Sequence, residues 1–362
     1  MSDFRVLEVV TPSRVGGAEI FVAELCSSFA ELGAQVQLFC PSGRRFVDYA
    51  AAKGIPSISW KTYGKVDPVT VVRLASLLKR GRFDVIHTHL STAGLLGAFA
   101  AKLAGRRSVA HVHGLNTATC YKFSDKIIAV SEAVKSHLVE QGIKASKIHV
   151  VHNGVDLLRF YPSDTNEAKA KLATTNPDIL PDGFDGPLLG VFGALVSSKG
   201  HRVAIESMFL ILKDIPDARM VIVGEGKDRE DLQRAAEALG LSERIIFTGF
   251  ELDVRRIMSA CDLVVVPSLR TEGFGRVATE AMALAKPVVG SSAGGLLEII
   301  LHNETGLLVP PNDPQAIATA ACEILNDPNK AQSMGTMGRE RVEKYFAQGE
   351  QMRKVLEVLK SA

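Results

Sequence analysis

Short apolar runs alternate with helical segments along the whole chain, and this alternation restricts the fold more than any other feature. In the first half the runs are Val6 to Val10, Gln35 to Phe39, Val85 to His87, Val109 to Val112, Ile127 to Val130 and His149 to Val151. A second series begins at Leu188 to Gly193 and continues through Met220 to Val223, Ile245 to Thr248, Leu263 to Val266 and Val288 to Val289. Short runs of this kind read as strands, and a helical crossover between successive strands makes them parallel neighbours. The chain therefore reads as α/β, with two doubly wound sheets. Its 362 residues exceed what one hydrophobic core usually supports, which agrees with two domains. The predicted division is a first domain over 1–162, a linker over 163–187, a second domain over 188–345 and a last helix over 346–362. The linker assignment rests on a polar, weakly periodic stretch containing Pro177 and Pro181. The last helix carries Met352, Val355, Leu356 and Leu359 at helical spacing.

Composition narrows the class. The hydrophobic fraction is 46%, and the 31 glycines suit many tight strand-to-helix turns. The chain runs from Met1 almost directly into a strand, so no secretory leader is expected. The longest apolar region, Ala93 to Leu103, is interrupted by Lys102 and too short to span a bilayer. Five cysteines lie far apart with no Cys-x-x-Cys pair, which argues against a disulfide framework and a zinc site and fits a reducing, cytoplasmic setting. Charge is uneven: residues 1–162 hold 20 Lys+Arg against 12 Asp+Glu, a net +8, and the remainder is −6. Arg44-Arg45, Lys61 with Lys65, Lys79-Arg80 with Arg82, and Arg106-Arg107 contribute. Val71 to Arg80 reads as a basic amphipathic helix. Such pairs are commonly solvated faces, and the functional alternative is docking to an anionic lipid surface. A nucleic-acid partner is not expected, because no aromatic-interleaved basic groove or recognition motif is present.

The chemistry concentrates at Ser268-Leu-Arg-Thr-Glu272-Gly-Phe274-Gly275, which follows a buried strand and precedes a helix containing Glu280. Open α/β sheets bind ligands at such junctions, and helix N-terminal amides favour an anionic group such as a diphosphate. Glu272 suits sugar hydroxyls. Glu280, read as two turns into the helix on roughly the face of its start, suits a ribose. Lys199, in Ser-Ser-Lys-Gly200, lies between a strand and a helix, where an ammonium can hold a donor diphosphate and stabilise its departure. Gly16 and Gly17 close a strand-to-helix loop in the first domain and allow backbone close to a phosphate or acceptor. No Gly-x-Gly-x-x-Gly follows the first strand, which counts against a dinucleotide-binding oxidoreductase.

With its two glutamates separated by seven residues around a Gly-Phe-Gly turn, the chain resembles the retaining glycosyltransferases of family 4, the group 1 glycosyl transferases. The resemblance covers nearly the whole chain. It includes Val15-Gly16-Gly17-Ala18-Glu19, His87-Thr-His89, His111-Val-His113-Gly114, Asn153-Gly154-Val155-Asp156, Lys199-Gly200-His201, Gly294-Gly295-Leu-Leu-Glu298 and Thr305-Gly306-Leu307. It implies a GT-B fold, two Rossmann-like domains facing across a cleft, with nucleotide on the second and acceptor on the first. It further implies that Glu272 contacts the transferred sugar together with the amides of Phe274 and Gly275, that Glu280 binds the ribose, and that His113 lies near the reacting sugar. Arg276 and Val277 join the donor site. The family's usual Gly-Arg-Leu appears here as Gly193-Ala194-Leu195, so the second diphosphate cation is missing, with Arg276 or Arg202 as candidate substitutes.

His87 and His89 alternate along a strand end and are expected on opposite faces, His89 lining the acceptor cleft or serving structure. The three histidines raise the idea of zinc, but their spacing is unconvincing and the family resembled works without bound metal, so no metal or other cofactor is expected. The expected partners are a nucleotide sugar and a saccharide or lipid-linked acceptor, the latter reached from the inner face of the membrane. Two other readings stay in view: a nucleotide-sugar epimerase of the same architecture, and a catalytically weak nucleotide-sugar-binding protein, suggested by Ala194.

Overall fold

A computed structural model describes residues 4–12, 16–64, 66–269 and 272–362. Val15, Lys65, Arg270 and Thr271, which belong to sequence features noted above, fall outside the described residues. The chain divides into two compact units, the first comprising Met1–Gly154 with Gln348–Ala362 and the second Val155–Ala347.

The first unit is built on seven strands: β1 (Arg5–Val10), β2 (Gln35–Phe39), β3 (Ser57–Ile58), β4 (Val85–His89), β5 (Arg107–Val112), β6 (Lys126–Ala129) and β7 (Ile148–Val150). They form one parallel sheet in the order β3-β2-β1-β4-β5-β6-β7. Successive residues of a strand face opposite sides, and the apolar clusters divide accordingly. Val6, Val85, Val109 and Ile128 pack with Phe21, Leu25 and Phe29 of the helix Gly17–Glu31 and with Met352, Val355, Leu356 and Leu359 of the helix Gln348–Lys360. Leu7, Val9 and Ile86 pack instead with Leu74 and Leu78 of the helix Pro68–Arg80 and with Leu96 and Ala100 of the helix Ser91–Ala104. Helices on both faces explain why these strands read as near-continuous apolar runs.

The second unit repeats the plan with six parallel strands: β8 (Leu188–Phe192), β9 (Arg219–Val223), β10 (Ile245–Gly249), β11 (Leu263–Val266), β12 (Val288–Ser291) and β13 (Leu307–Val309), ordered β10-β9-β8-β11-β12-β13. Each sheet thus reverses its strand order once, between β1 and β4 and between β8 and β11. Crevices at the carboxyl ends of such strand pairs are where this architecture binds ligands.

The boundaries differ from the sequence expectation. The first unit ends at Gly154 rather than 162, and part of the expected linker is a helix, Thr165–Thr175, within the second unit. Asp164 caps it by accepting from the Glu167 amide at 2.9 Å. Lys169 anchors it: its buried ammonium donates to the Gly186 carbonyl at 2.9 Å and pairs with Asp262 at 2.7 Å. All five cysteines are free. Among the described residues, no helix is long and apolar enough to cross a membrane.

Candidate active site

In the second unit the switch between β8 and β11 gathers most of the residues picked out from sequence. The chain leaves β8 through Gly193-Ala194 and a single 3-10 turn, Ser197–Lys199, before entering the helix His201–Asp214. It leaves β11 through Pro267 and Ser268 and re-enters a helix at Arg276. Glu272 is buried between these connections. One of its carboxylate oxygens, Oε2, accepts from Lys199 Nζ at 2.6 Å and from Ser268 Oγ at 2.7 Å. The Glu272 side chain is 11% exposed and that of Lys199 35%, so the ion pair sits at the edge of the protein with the ammonium reaching toward solvent. Its net contribution to stability is accordingly small. Its contribution to geometry is larger, because a charge-assisted, doubly bonded carboxylate is held in one orientation.

Gly275 begins the next helix with φ 115, a left-handed conformation that a side chain rarely adopts. Phe274 beside it is buried, its ring edge-on to Phe346 at 5.7 Å between centroids. Glu280 lies one turn beyond the helix start rather than two, because the helix Arg276–Ala283 begins at Arg276. Its carboxylate accepts from Arg276 Nη2 at 3.3 Å. Val277, between them, is half-buried. Lys199, Glu272, Phe274, Gly275, Arg276, Val277 and Glu280 therefore belong to one strand-end constellation. Two helix N-termini, an ammonium and a guanidinium meet two carboxylates there, a set suited to an anion carrying hydroxyl-rich groups. Of the two proposed substitutes for the missing arginine, Arg276 belongs to this constellation, whereas Arg202 is exposed on the first turn of its helix. Ser268 escaped the sequence reading as a site residue. Its signal was its place four residues before Glu272.

Gly16 and Gly17 lie in the first unit, at the corresponding switch. Gly16 precedes the helix Gly17–Glu31 and its amide donates to Glu19 Oε2 at 3.1 Å. A cavity of about 370 Å³ opens there, lined by Thr11, Gly16, Gly17, Leu90, Ser91 and Thr92 among others. Leu90 holds φ 72 and ψ 161, a backbone region that is essentially reserved for glycine. Strain of this kind costs about 1–3 kcal/mol and clusters at functional sites.

On β1, β4 and β5 of the same sheet is a cluster the sequence only partly announces. His87, His89 and His111 are fully buried, and His113 continues the group toward the surface. The expectation that His87 and His89 face opposite sides is corrected: side chains two apart on a strand share a face. Both meet the same buried carboxylate, Glu8, with His87 Nδ1 at 3.0 Å from Oε1 and His89 Nε2 at 2.8 Å from Oε2. His89 Nδ1 lies 3.0 Å from His113 Nε2, and the rings of His111 and His113 stack at 4.5 Å. Burial lowers the pKa of His87 and His89 to about 3, and the neighbouring His87 lowers that of His89 further, against the Glu8 carboxylate. Burial raises that of Glu8. Glu8 was missed, although a carboxylate inside the apolar run Val6-Leu-Glu-Val-Val10 is itself a signal, since an acid is almost never fully buried without partners.

Among the described residues, one nitrogen from each of His87, His89 and His111 falls within 4.8 Å of the others, closer than the sequence spacing suggested. A tetrahedral zinc at about 2.1 Å needs its ligand atoms about 3.4 Å apart and in the plane of each ring. The His111 ring is inclined only 28° to that of His89 at 5.3 Å, a stack that aims the two rings alongside each other. As placed, the rings fit a hydrogen-bonded histidine group better than a metal centre.

Residues 15–159 match the family described as Glycosyltransferase Family 4, and residues 177–341 match that described as Glycosyl transferases group 1. An uncharacterized glycosyltransferase of Methanocaldococcus jannaschii is 30% identical over 267 residues, covering 68% of this chain and 67% of its own. The GDP-mannose-dependent alpha-(1-6)-phosphatidylinositol monomannoside mannosyltransferase of Mycolicibacterium smegmatis is 29% identical over 363 residues, covering 91% and 90%. Among solved structures, Anabaena Alr3699/HepE in complex with UDP-glucose matches with a TM-score of 0.87 at 24% identity, covering 99% of this chain and 100% of that one. That likeness shows the fold, the two-domain α/β GT-B class. By both family matches, and by its likeness to the archaeal protein, the chain belongs to glycosyltransferase family 4.

Proposed function

We propose that the chain transfers a sugar from a UDP- or GDP-linked donor to an acceptor hydroxyl with retention at the anomeric carbon. The observation that carries this reading is the Lys199–Glu272–Ser268 cluster beside two helix starts at the β8/β11 switch. In the proposed reaction the bond from the anomeric carbon to the diphosphate breaks as Lys199 and the helix amides take up the developing charge. The acceptor oxygen bonds to that carbon on the same face, and its proton passes to the departing diphosphate. Glu272 orients sugar hydroxyls and Glu280 the ribose. No bound metal enters this scheme, because the ammonium and the amides supply the positive charge.

The acceptor we favour is lipid-linked or a surface saccharide. The mycobacterial relative is named for a phosphatidylinositol mannoside acceptor. In this chain the helix Pro68–Arg80 exposes Val69 and Val72 beside Arg73, Lys79 and Arg80, with Tyr63 and Val66 exposed just before it. An apolar face flanked by cations suits peripheral docking on an anionic membrane, here its cytoplasmic face.

The test is incubation of the purified chain with UDP- and GDP-sugars and lipid-linked acceptors, with the product's anomeric configuration read by proton NMR. The reading expects retention, and a fall of about 10²-fold or more in Lys199→Ala and Glu272→Ala. An inverted product overturns it. Donor recovered with a changed stereocentre supports the epimerase instead, and binding without turnover supports the weak binding protein.

A further inference from the structure

Glu8 is a carboxylate with no exposed surface, in the middle of β1, on the face that carries Val6. Its two oxygens are divided between His87 and His89. The direction of these hydrogen bonds follows from the donor inventory of each group. With Glu8 ionised the carboxylate only accepts, and the nitrogens facing it, His87 Nδ1 and His89 Nε2, then carry hydrogens. A neutral imidazole has one N–H, and burial keeps His89 neutral, with its pKa lowered to about 3. His89 Nδ1 is therefore a bare lone pair. The group 3.0 Å from it, His113 Nε2, has to supply the hydrogen. Donation thus runs in one direction, from His113 to His89 to Glu8.

We propose that Glu8, held ionised, is a positioning residue which, through His89, keeps His113 in its Nε2–H tautomer and leaves Nδ1 as the hydrogen-bond-accepting nitrogen of that ring. This rests on the reading of His113 as a residue beside the reacting sugar. The consequence for the site is twofold. The ring is fixed in rotation as well as in tautomer, because His89 bonds one edge while His111 stacks on one face and Phe21 meets it edge-on at 5.3 Å. A ligand hydroxyl that meets Nδ1 then finds an acceptor. Among the described residues, His87 Nε2 and both nitrogens of His111 find no hydrogen-bond partner.

Long-range proton–nitrogen NMR of histidine-labelled protein reads the tautomer directly. The expected wild-type spectrum shows His113 as one tautomer with hydrogen on Nε2, and both Glu8→Gln and His89→Gln give a mixture. His89→Gln keeps a donor toward Glu8 but removes the nitrogen facing His113, so it provides the same test should Glu8→Gln fail to fold. Turnover in either variant is expected to drop about 10²-fold with the donor KM little changed, the cost of a misplaced group beside the reacting centre. Glu8→Asp, which retains the charge, recovers part of both. A wild-type His113 carrying its hydrogen on Nδ1, or a tautomer that is the same in Glu8→Gln as in wild type, overturns the proposal. A separate His113→Ala variant with full turnover overturns the reading of His113 as a site residue while leaving the tautomer result intact, so the two failures are distinguishable.

Discussion

Replacing Gly294 by alanine tests how tightly the Glu272 loop is held from behind. Gly294 has φ +52, and a Cβ built there stands 2.1 Å from the Glu272 carbonyl oxygen and 3.1 Å from its carbon. The neighbouring Gly295 amide already donates to that same oxygen at 2.9 Å. A left-handed conformation costs a non-glycine residue about 1–2 kcal/mol. Overpacking against backbone adds about 1–3 kcal/mol. The second unit then melts roughly 5–15 °C lower. Relief of the contact requires the Glu272 backbone to withdraw by about 1 Å, and a displacement of that size at a reacting centre costs about 10² in rate. Gly240→Ala is the control, for Gly240 also has a positive φ, +69, but meets nothing within 4 Å. It is expected to lose only the conformational part of the stability and to keep full turnover. The assay is donor turnover and thermal unfolding of both variants side by side. Gly294→Ala with turnover within about threefold of wild type refutes the argument that Glu272 acts from a position set by this contact.

Ala194→Arg restores a cation at the end of β8 and is expected to tighten donor binding about tenfold or more, the worth of one charge-assisted hydrogen bond. Unchanged calorimetric affinity would mean that the site lacks no cation there. Val69→Glu with Val72→Glu places charge on an exposed apolar face and is expected to abolish cosedimentation with anionic vesicles while leaving turnover of a water-soluble acceptor intact, and full cosedimentation contradicts the docking surface. His201 is held neutral by burial and by the charge of Lys199, its pKa lowered from 6.5 to about 4. The unfolded chain therefore binds the extra proton between these values, and stability falls as pH drops through that window by up to about 1.4 kcal/mol per unit. His201→Leu removes one proton from the slope of unfolding free energy against pH, and an identical slope contradicts the assignment.

The strands were legible because parallel strands covered on both faces are apolar throughout, and β1, β2 and β9 fall close to where their residues suggest. Two of the short edge strands were not. β3 has two residues and β13 three, too few for a pattern. The helix Thr165–Thr175 was hidden by its polar composition, since its decisive interaction is the pairing of the buried Lys169 with half-buried Asp262, a residue far along the chain. Its local signal was the capping pattern of Asp164 with Glu167. In the site, Glu272, Lys199 and the Gly275 turn were legible from a short motif that sits on a strand end. Glu8 and the histidine group were not, because β1, β4 and β5 meet only through the sheet register that sets Val10 beside His89 and His89 beside His111.

The central claim is that the β8/β11 strand-end constellation binds a nucleotide-diphosphate sugar through Lys199 and Glu272. Calorimetric titration of the chain with UDP-, GDP- and ADP-sugars in the presence of chelator, repeated with Lys199→Ala and Glu272→Ala, measures it directly. Binding of one nucleotide class, weakened at least tenfold in both variants, is the predicted result, one charge-assisted bond being worth about that much. A donor bound equally well by wild type and both variants would contradict it.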